Sequence, residues 1–179
     1  GGGPINGEDI KIIRIMWGRD LSGCESEGMA HTLDLSEALI KQEAGKNYFN
    51  EQLGFYKRFY APSADNEIGG KMFYRCEPLR EIILPKTTTV IAGQAFDNCT
   101  SLTRCTFFAG LTTIRQYAFR NTKLAEVELP STLTAMENKV FDGCKELTTV
   151  MFTSKAVPTL PDELFSNCPK LKTVIVPQE

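Results

Sequence analysis

The sequence is poor in several residues on which common protein chemistries depend. It has one histidine, His31, and one tryptophan among 179 residues. A single histidine excludes any site that needs two, such as a two-histidine zinc site. Acidic and basic residues nearly balance, at 22 and 20, which removes any global attraction to nucleic acid or anionic lipid. No run approaches the roughly 20 apolar residues of a membrane-spanning helix. We therefore expect no nucleic-acid partner and no membrane insertion.

Other familiar signals are also missing. Gly1–Pro4 has neither the basic nor the apolar region of a signal peptide, so we expect a signal or anchor segment to be absent from this chain. No two of the six cysteines show the CxxC spacing of a zinc site. His31 has no serine or cysteine at a spacing typical of a nucleophile. The sequence thus predicts a protein that is not an enzyme, with no cofactor and no metal.

A repeat occupies the second half of the chain. Segments that follow the pattern Leu-x-x-Ile-x-Leu begin at Leu79, Leu102, Leu124, Leu147 and Leu171. These starts divide the 92 residues from 79 to 171 into four units, a mean period of 23. Phenylalanines recur in phase at Phe73, Phe96, Phe119, Phe141 and Phe165. Each follows an apolar residue by five positions and precedes Cys76, Cys99, Thr122, Cys144 or Cys168 by three. Tracks that stay in register over five units indicate a stacked repeat architecture.

The spacing within each unit predicts short parallel strands. Positions 4 and 6 of the pattern share one face of an extended segment, because side chains alternate with a period of two. The proline that follows, as at Pro85 and Pro130, cannot donate a ladder hydrogen bond and ends the strand. Since no unit can bury its apolar residues alone, stability must come from the stacking of neighbouring units.

The full pattern, L-x-x-I-x-L-P followed by I-x-x-x-A-F-x-x-C-x-x-L, resembles the BspA-like leucine-rich repeat family of bacterial surface proteins. It extends from Ile68 to Pro177, and its period lies within the range of leucine-rich repeats. The resemblance implies an α/β fold: a right-handed leucine-rich repeat solenoid with a short-stranded parallel sheet and a mostly irregular convex side. We expect a single domain over 1–179, with irregular units at 1–67 and regular repeats at 68–179.

The N-terminal part fits the strand template less regularly. Ile10–Ile15 and Ala30–Leu35 carry apolar residues at positions 4 and 6, so each is predicted to be a strand, giving seven in all. The 49 residues from Ala30 to Leu79 exceed one period by 26. An insertion is therefore predicted near residues 41–66.

This insertion is rich in aromatic residues. Six of the 17 in the chain lie within 13 positions: Tyr48, Phe49, Phe55, Tyr56, Phe59 and Tyr60. One interpretation is a platform that binds a glycan or anchors a protein partner, because such rings favour half-exposed sites. The other is that the rings fold the insertion down onto the solenoid.

Four of the six cysteines occupy one repeat position. We interpret them as small buried residues that fill a turn. Disulfides between adjacent units are geometrically possible, but Thr122 would interrupt a regular pairing scheme. Cys105 stands where other units have Ile or Val and is predicted to be a core residue. Cys24, in a polar loop, is the only one expected to be reactive or available for pairing.

Positions 3 and 5 of the strands point away from the core and form a candidate recognition strip. The residues selected there are Glu81, Ile83, Arg104, Thr106, Glu126, Glu128 and Met151. Glu81, Arg104 and Glu126 are expected to stack as a ladder of alternating charge, which is also what simple cross-strand pairing would give. Seven short strands present only about 300 Å², against about 800 Å² per partner in a standard interface. A tight partner would also need the loops or the insertion.

These features predict a non-enzymatic, extracytoplasmic binding module. The resemblance implies a secreted or cell-surface bacterial protein that adheres to a host matrix or cell-surface protein. Glycan binding through the aromatic insertion and a structural spacer are the alternatives. Leu171–Val176 ends in an open strand edge, which would allow a weak self-contact.

Overall fold

The computed structural model describes residues 4–16, 31–46, 49–53, 56–60, 62–154 and 156–177. Helix α1 spans Gly7–Met16. The strands, in chain order, are β1 (Pro4–Ile5), β2 (Thr32–Asp34), β3 (Leu39–Ile40), β4 (Phe49–Leu53), β5 (Tyr56–Tyr60), β6 (Glu67–Ile68), β7 (Glu81–Ile83), β8 (Val90–Ile91), β9 (Arg104–Thr106), β10 (Thr113–Ile114), β11 (Glu126–Leu129), β12 (Ala135–Met136), β13 (Thr149–Phe152) and β14 (Thr173–Ile175).

The predicted parallel sheet of short strands is present, in two pieces. Strands β2, β7 and β9 form one three-stranded parallel sheet, and β11, β13 and β14 form another. Equivalent repeat positions pair within each piece, Ile82 with Cys105 in the first and Val127 with Val150 in the second. In the described part of the chain, no strand pairing joins β9 to β11. The parallel-strand solenoid is confirmed, with six described strands along this side where seven were expected.

A second parallel sheet is built from the apolar residue five positions before each of the first four phenylalanines of the repeat. Its strand order is β6-β8-β10-β12, and it runs without a break through the region where the first sheet divides. The equivalent residues in it are Ile68, Ile91, Ile114 and Met136, all of them buried. Strands β1 and β3 pair in parallel, and the Asn66 N–H donates to the Ile40 carbonyl at 2.9 Å, which continues this stack toward the N-terminus.

The phenylalanine track forms a column of stacked rings through the core. Successive ring centroids lie 5.2, 5.1, 5.7 and 5.7 Å apart, and the planes differ by 14° or less. The rings belong to Phe73, Phe96, Phe119, Phe141 and Phe165, of which only the last is half-buried. Offset stacking of aromatic rings adds to the free energy gained from area burial alone. The column therefore fixes the spacing between units.

The cysteine track ties each turn to the preceding unit. The Sγ atoms of Cys99, Cys144 and Cys168 donate to the carbonyls of Phe73, Phe119 and Phe141 at 2.9, 3.1 and 3.0 Å, respectively. A small side chain with a weak donor fits a turn that leaves one carbonyl to be satisfied. The five cysteines among the described residues are free thiols. Cys24 lies outside the described residues.

Four of the five phenylalanine turns place two residues in the left-handed region, two positions before the ring and two positions after it, and the turn of Phe165 places one, after the ring. The residues with φ of 56–71° at these positions are Lys71, Arg75, Gln94, Asn98, Tyr117, Asn121, Lys139, Gly143 and Asn167. At Gly143 a Cβ atom would lie 2.2 Å from the Asn121 Oδ1 atom. Glycine adopts this φ of 71° without strain, and any larger residue there would require the Asn121 side chain to move.

An ion pair with a fully buried carboxylate connects two of these turns. The Arg120 Nε and Nη2 atoms donate to Asp97 at 2.9 and 2.6 Å, and the side-chain amides of Gln94 and Asn98 donate to the same carboxylate. The hydrogen bonds with Asp97 raise the pKa of the Arg120 guanidinium. A buried carboxylate persists only where its oxygens are bonded in this way.

The strand predicted at Ile10–Ile15 is wrong, because this segment belongs to helix α1. Ile10 is fully buried and Ile13 packs against the core, whereas Ile12 is 57% exposed. Burial that recurs after three residues is typical of a helix. The strand prediction rests only on apolar residues at positions 4 and 6 of the pattern, and a helical segment can also have apolar residues there.

The start of α1 is encoded in the residues before it. The Asn6 side-chain oxygen accepts from the Glu8 N–H at 2.9 Å, and the Asp9 carboxylate accepts from the Asn6 N–H at 2.9 Å. This reciprocal arrangement satisfies donors that have no partner inside the helix. The acidic residues of the first turn also favour the positive end of the helix dipole.

Candidate functional site

The outward-facing residues of the two three-stranded sheets form one surface, which we call the strand face. It comprises Thr32, Asp34, Glu81, Ile83, Arg104, Thr106, Glu126, Glu128, Thr149, Met151, Thr173 and Ile175, all of them exposed or half-buried. Between them, Ile82, Val127 and Val150 are buried. The structure thus places all seven strand residues selected from the sequence on one face of the solenoid.

The charges of the strand face are not balanced. It carries four carboxylates, on Asp34, Glu81, Glu126 and Glu128, against the single guanidinium of Arg104. The Ser36 N–H donates to Asp34 at 2.8 Å and lowers the pKa of that carboxyl, which keeps it ionised. The face as a whole is therefore acidic.

The expected ladder of alternating charge forms only in part. Arg104 Nη1 lies 3.3 Å from Glu81 Oε1, across the paired strands β7 and β9. Within the described residues, neither Glu126 nor Glu128 forms an ion pair or a side-chain hydrogen bond, because β11 does not pair with β9. Two carboxylates of the strand face thus have no partner among the residues that the structure describes.

A cavity of about 470 Å³ opens where the first sheet divides, and we call it the seam cleft. Its lining includes Cys105, Thr106, Phe107, Phe108, Glu128 and Ser131. Cys105 is half-buried, although its equivalents in the neighbouring units, Ile82 and Val127, are buried. Burial still raises the pKa of the Cys105 thiol well above its ordinary value, so this group is a neutral surface and not a nucleophile at neutral pH.

Sequence reasoning missed the loop residues that complete this cleft. Phe107 and Phe108 directly follow β9, and Ser131 follows Pro130 after β11. The signal was present in the unit starts, since Leu102 and Leu124 are 22 residues apart and not 23. The mean period of 23 residues does not reveal that this one unit is shorter by one residue.

The aromatic insertion contains an antiparallel hairpin of β4 and β5, paired from Phe49 with Tyr60 to Leu53 with Tyr56. The Tyr60 side chain packs against the core, and the Lys71 Nζ atom lies over its ring, 5.1 Å from the centroid. Among the other residues selected here, Tyr48 and Phe55 lie outside the described residues. For Tyr56 and Phe59 the structure describes the backbone and not the side chain. Their contact with a ligand stays a prediction.

The remaining polar candidates have structural partners. The His31 Nδ1 atom lies 3.1 Å from the Pro78 carbonyl oxygen and is exposed. Among the residues that the structure describes, no three histidine, cysteine or acidic side chains come together in a group that could hold a metal ion. In the same residues, no helix has the length and apolar character of a membrane span.

Three solved structures share features of this chain. A leucine-rich cell surface protein of Faecalibacterium prausnitzii A2-165 is 29% identical, with a TM-score of 0.48, over 52% of this chain and 24% of its own. A leucine-rich repeat protein of T. pallidum is 29% identical, with a TM-score of 0.46, over 59% and 60%. One from Bacteroides ovatus is 21% identical, with a TM-score of 0.44, over 80% and 39%. In each case the chain spans less than two thirds of the other protein.

The repeat itself matches a described family. No curated protein matches the chain. The family model for the BspA type leucine-rich repeat region matches residues 66–179 in six copies, which is well over half of the chain. Leucine-rich repeat solenoids are typically binding scaffolds without catalytic activity, and the fold suggests interaction with a protein. On the extent of this match and the observed stacking of its repeats, the chain belongs to the BspA-type leucine-rich repeat family.

Proposed function

We propose that this chain is a non-catalytic, extracytoplasmic binding module that adheres to a protein partner at the bacterial cell surface. The observation that carries the proposal is the strand face, a regular outward surface on which Glu126 and Glu128 have no partner within the described part of the chain. Solenoid repeats create extended surfaces of this kind for binding. Host matrix and cell-surface proteins are the partner class proposed here.

The size of the strand face limits how it binds. Six strands spaced by about 4.8 Å, with three residues each, give roughly 240 Å², far below the ~800 Å² per partner of a standard interface. A partner must therefore also contact the loops beside the strands. The seam cleft supports this, because its loop residues Phe107 and Phe108 adjoin the strand face directly.

The proposal is tested by saturation binding of the purified chain to immobilised collagen, laminin and fibronectin. We expect at least one to bind saturably, and Glu126→Lys to weaken that binding about tenfold, because it reverses a charge of the acidic face that has no partner within the described chain. Glu137→Lys is the matched control, because Glu137 is an exposed glutamate that follows β12 in the second sheet. Absence of saturable binding, or equal losses in both variants, would contradict the proposal.

A further inference from the structure

The seam cleft originates in a single missing residue. In the units before and after it, the next leucine lies six positions after the phenylalanine, as Leu102 does after Phe96. From Phe119 to Leu124 there are only five, and the shortening falls directly after Thr122, the one position where the cysteine track is interrupted. The chain therefore enters β11 one residue early.

The hydrogen bonds show the resulting shift. At other junctions the residue after the leucine donates to its equivalent in the preceding unit, as Thr148 N–H does to the Ala125 carbonyl at 2.8 Å. At the short junction Lys123 N–H donates to the Leu102 carbonyl at 2.9 Å, with the donor two positions earlier and the acceptor one position earlier than in the regular pattern. No pairing of β9 with β11 follows in the described residues. The sheet parts there, and the seam cleft opens over Cys105.

The walls of the cleft are held in place by the core. Phe107 packs edge-on against Phe119, with centroids 5.7 Å apart and planes at 87°. Phe108 is half-buried beside it, and Glu128 is exposed on the facing strand. The cleft thus combines two phenyl rings with one carboxylate that has no partner in the described chain. A volume of about 470 Å³ lies within the range of sites that hold a small molecule or a side chain.

This combination selects the charge of its ligand. A carboxylate attracts a cation, phenyl rings attract a cation through their quadrupoles, and the apolar part of the lining accepts a methylene stem. An acidic or phosphorylated ligand would be repelled by Glu128 and by the neighbouring Glu126. The strand face around the cleft, with four carboxylates and one guanidinium, adds to this preference.

We propose that the seam cleft binds a lysine or arginine side chain presented by the protein partner. The inference rests on the proposed function, because it assigns the residue type by which that partner is recognised. Glu128 pairs with the cationic end of the side chain, and Phe107 and Phe108 contact its stem. The missing residue after Thr122 then has a role, since it creates an anchor pocket in an otherwise uniform sheet.

The test is an NMR titration of the ¹⁵N-labelled full chain with Nα-acetyl-lysine N-methylamide. The matching norleucine derivative, which has the same stem without the charge, is the control probe. We expect the lysine probe to shift the amide resonances of Thr106, Phe108 and Glu128, and the norleucine probe to bind about fivefold more weakly. Glu128→Gln should weaken lysine binding about fivefold, whereas Glu126→Gln, on the same strand but outside the lining, should not.

Several results would overturn the inference: shifts that map elsewhere, equal binding of both probes, or equal effects of the two glutamate variants. The titration needs no protein partner, so it fails or succeeds separately from the binding assay on matrix proteins. Lysine binding in the cleft without any matrix-protein binding would contradict the proposed function alone. Matrix binding that depends on Glu126, together with no binding of the lysine probe in the cleft, would overturn this inference alone.

Discussion

The unit from Leu102 to Lys123 and the unit from Leu124 to Glu146 share a core but differ in length by one residue. Their phenylalanine rings stack at 5.7 Å, and their strands β10 and β12 pair in the second sheet. Only the strand pairing ahead of β11 is lost. The comparison shows that packing of buried side chains sets the spacing of units, and that the backbone ladder adjusts to it.

The physical reason is the relative size of the two contributions. A buried phenylalanine contributes about 3–5 kcal/mol, as its truncation to alanine shows in other proteins, whereas a backbone hydrogen bond contributes a net 0.5–1.5 kcal/mol. A unit that is short by one residue therefore keeps Phe119 in the column and gives up the ladder bonds. The lost bonds lie at a surface where water can satisfy the exposed groups.

The largest expected effect comes from truncating this column. Phe119→Ala should lower the free energy of unfolding by about 3–5 kcal/mol, because the ring is fully buried between two stacked neighbours. Phe165→Ala is the matched control: its ring ends the column and is half-buried, so about half that cost is expected. Urea denaturation of both variants measures the difference. A cost below about 1 kcal/mol for Phe119→Ala would mean that the column does not set the spacing.

A smaller effect is expected from lengthening the short unit. Inserting one glutamate between Lys123 and Leu124 gives Thr-Lys-Glu-Leu, which matches Cys144-Lys-Glu-Leu in the next unit. We expect β9 and β11 to pair and the amides at the seam, such as Cys105, to exchange about tenfold more slowly, as new hydrogen bonds form. Hydrogen exchange followed by NMR checks this.

The same insertion tests the origin of the seam cleft. If strand pairing closes the cleft, the lysine probe should lose its binding there while the protein keeps its overall fold. An equivalent insertion after Lys145, in a unit of ordinary length, serves as the control and should destabilise the chain by disturbing a register that is already complete. Unchanged exchange at Cys105 in the lengthened chain would mean that the missing residue does not cause the division of the sheet.

Parts of this architecture could be predicted from sequence because side-chain burial repeats. The phenylalanine, isoleucine and cysteine tracks were visible, since each occupies an equivalent buried position in successive units. Helix α1 could not be separated from a strand, because Ile13 and Ile15 are spaced as on one face of a strand while Ile10 and Ile13 are spaced as on one face of a helix. The seam cleft depends on backbone pairing, which leaves no apolar signature and is altered by one residue. The sequence therefore predicted the face that carries Glu128 but not the pocket beside it.

The smallest effect concerns two buried threonines that depart from the repeat in different ways. Thr122 replaces a cysteine, and its Oγ1 atom donates to the Phe119 carbonyl at 3.0 Å. Thr88 takes an apolar position that is Leu111 and Leu133 in the following units, and its buried hydroxyl has no hydrogen-bond partner in the described structure. A hydroxyl that has lost its water without gaining a partner opposes folding. The hydroxyl group therefore stabilises the fold at position 122 and destabilises it at position 88.

Replacing each threonine by valine, which has nearly the same shape, separates these cases. Thr88→Val should raise the free energy of unfolding by about 1 kcal/mol, because it removes an unsatisfied polar group. Thr122→Val should lower it by about 1 kcal/mol, because it removes a hydrogen bond at the short junction. Thermal and urea unfolding of both variants under identical conditions measure the two signs. If Thr88→Val destabilises the chain as much as Thr122→Val does, the Thr88 hydroxyl has a partner in solution. The apolar track would then tolerate a polar residue for a reason other than packing.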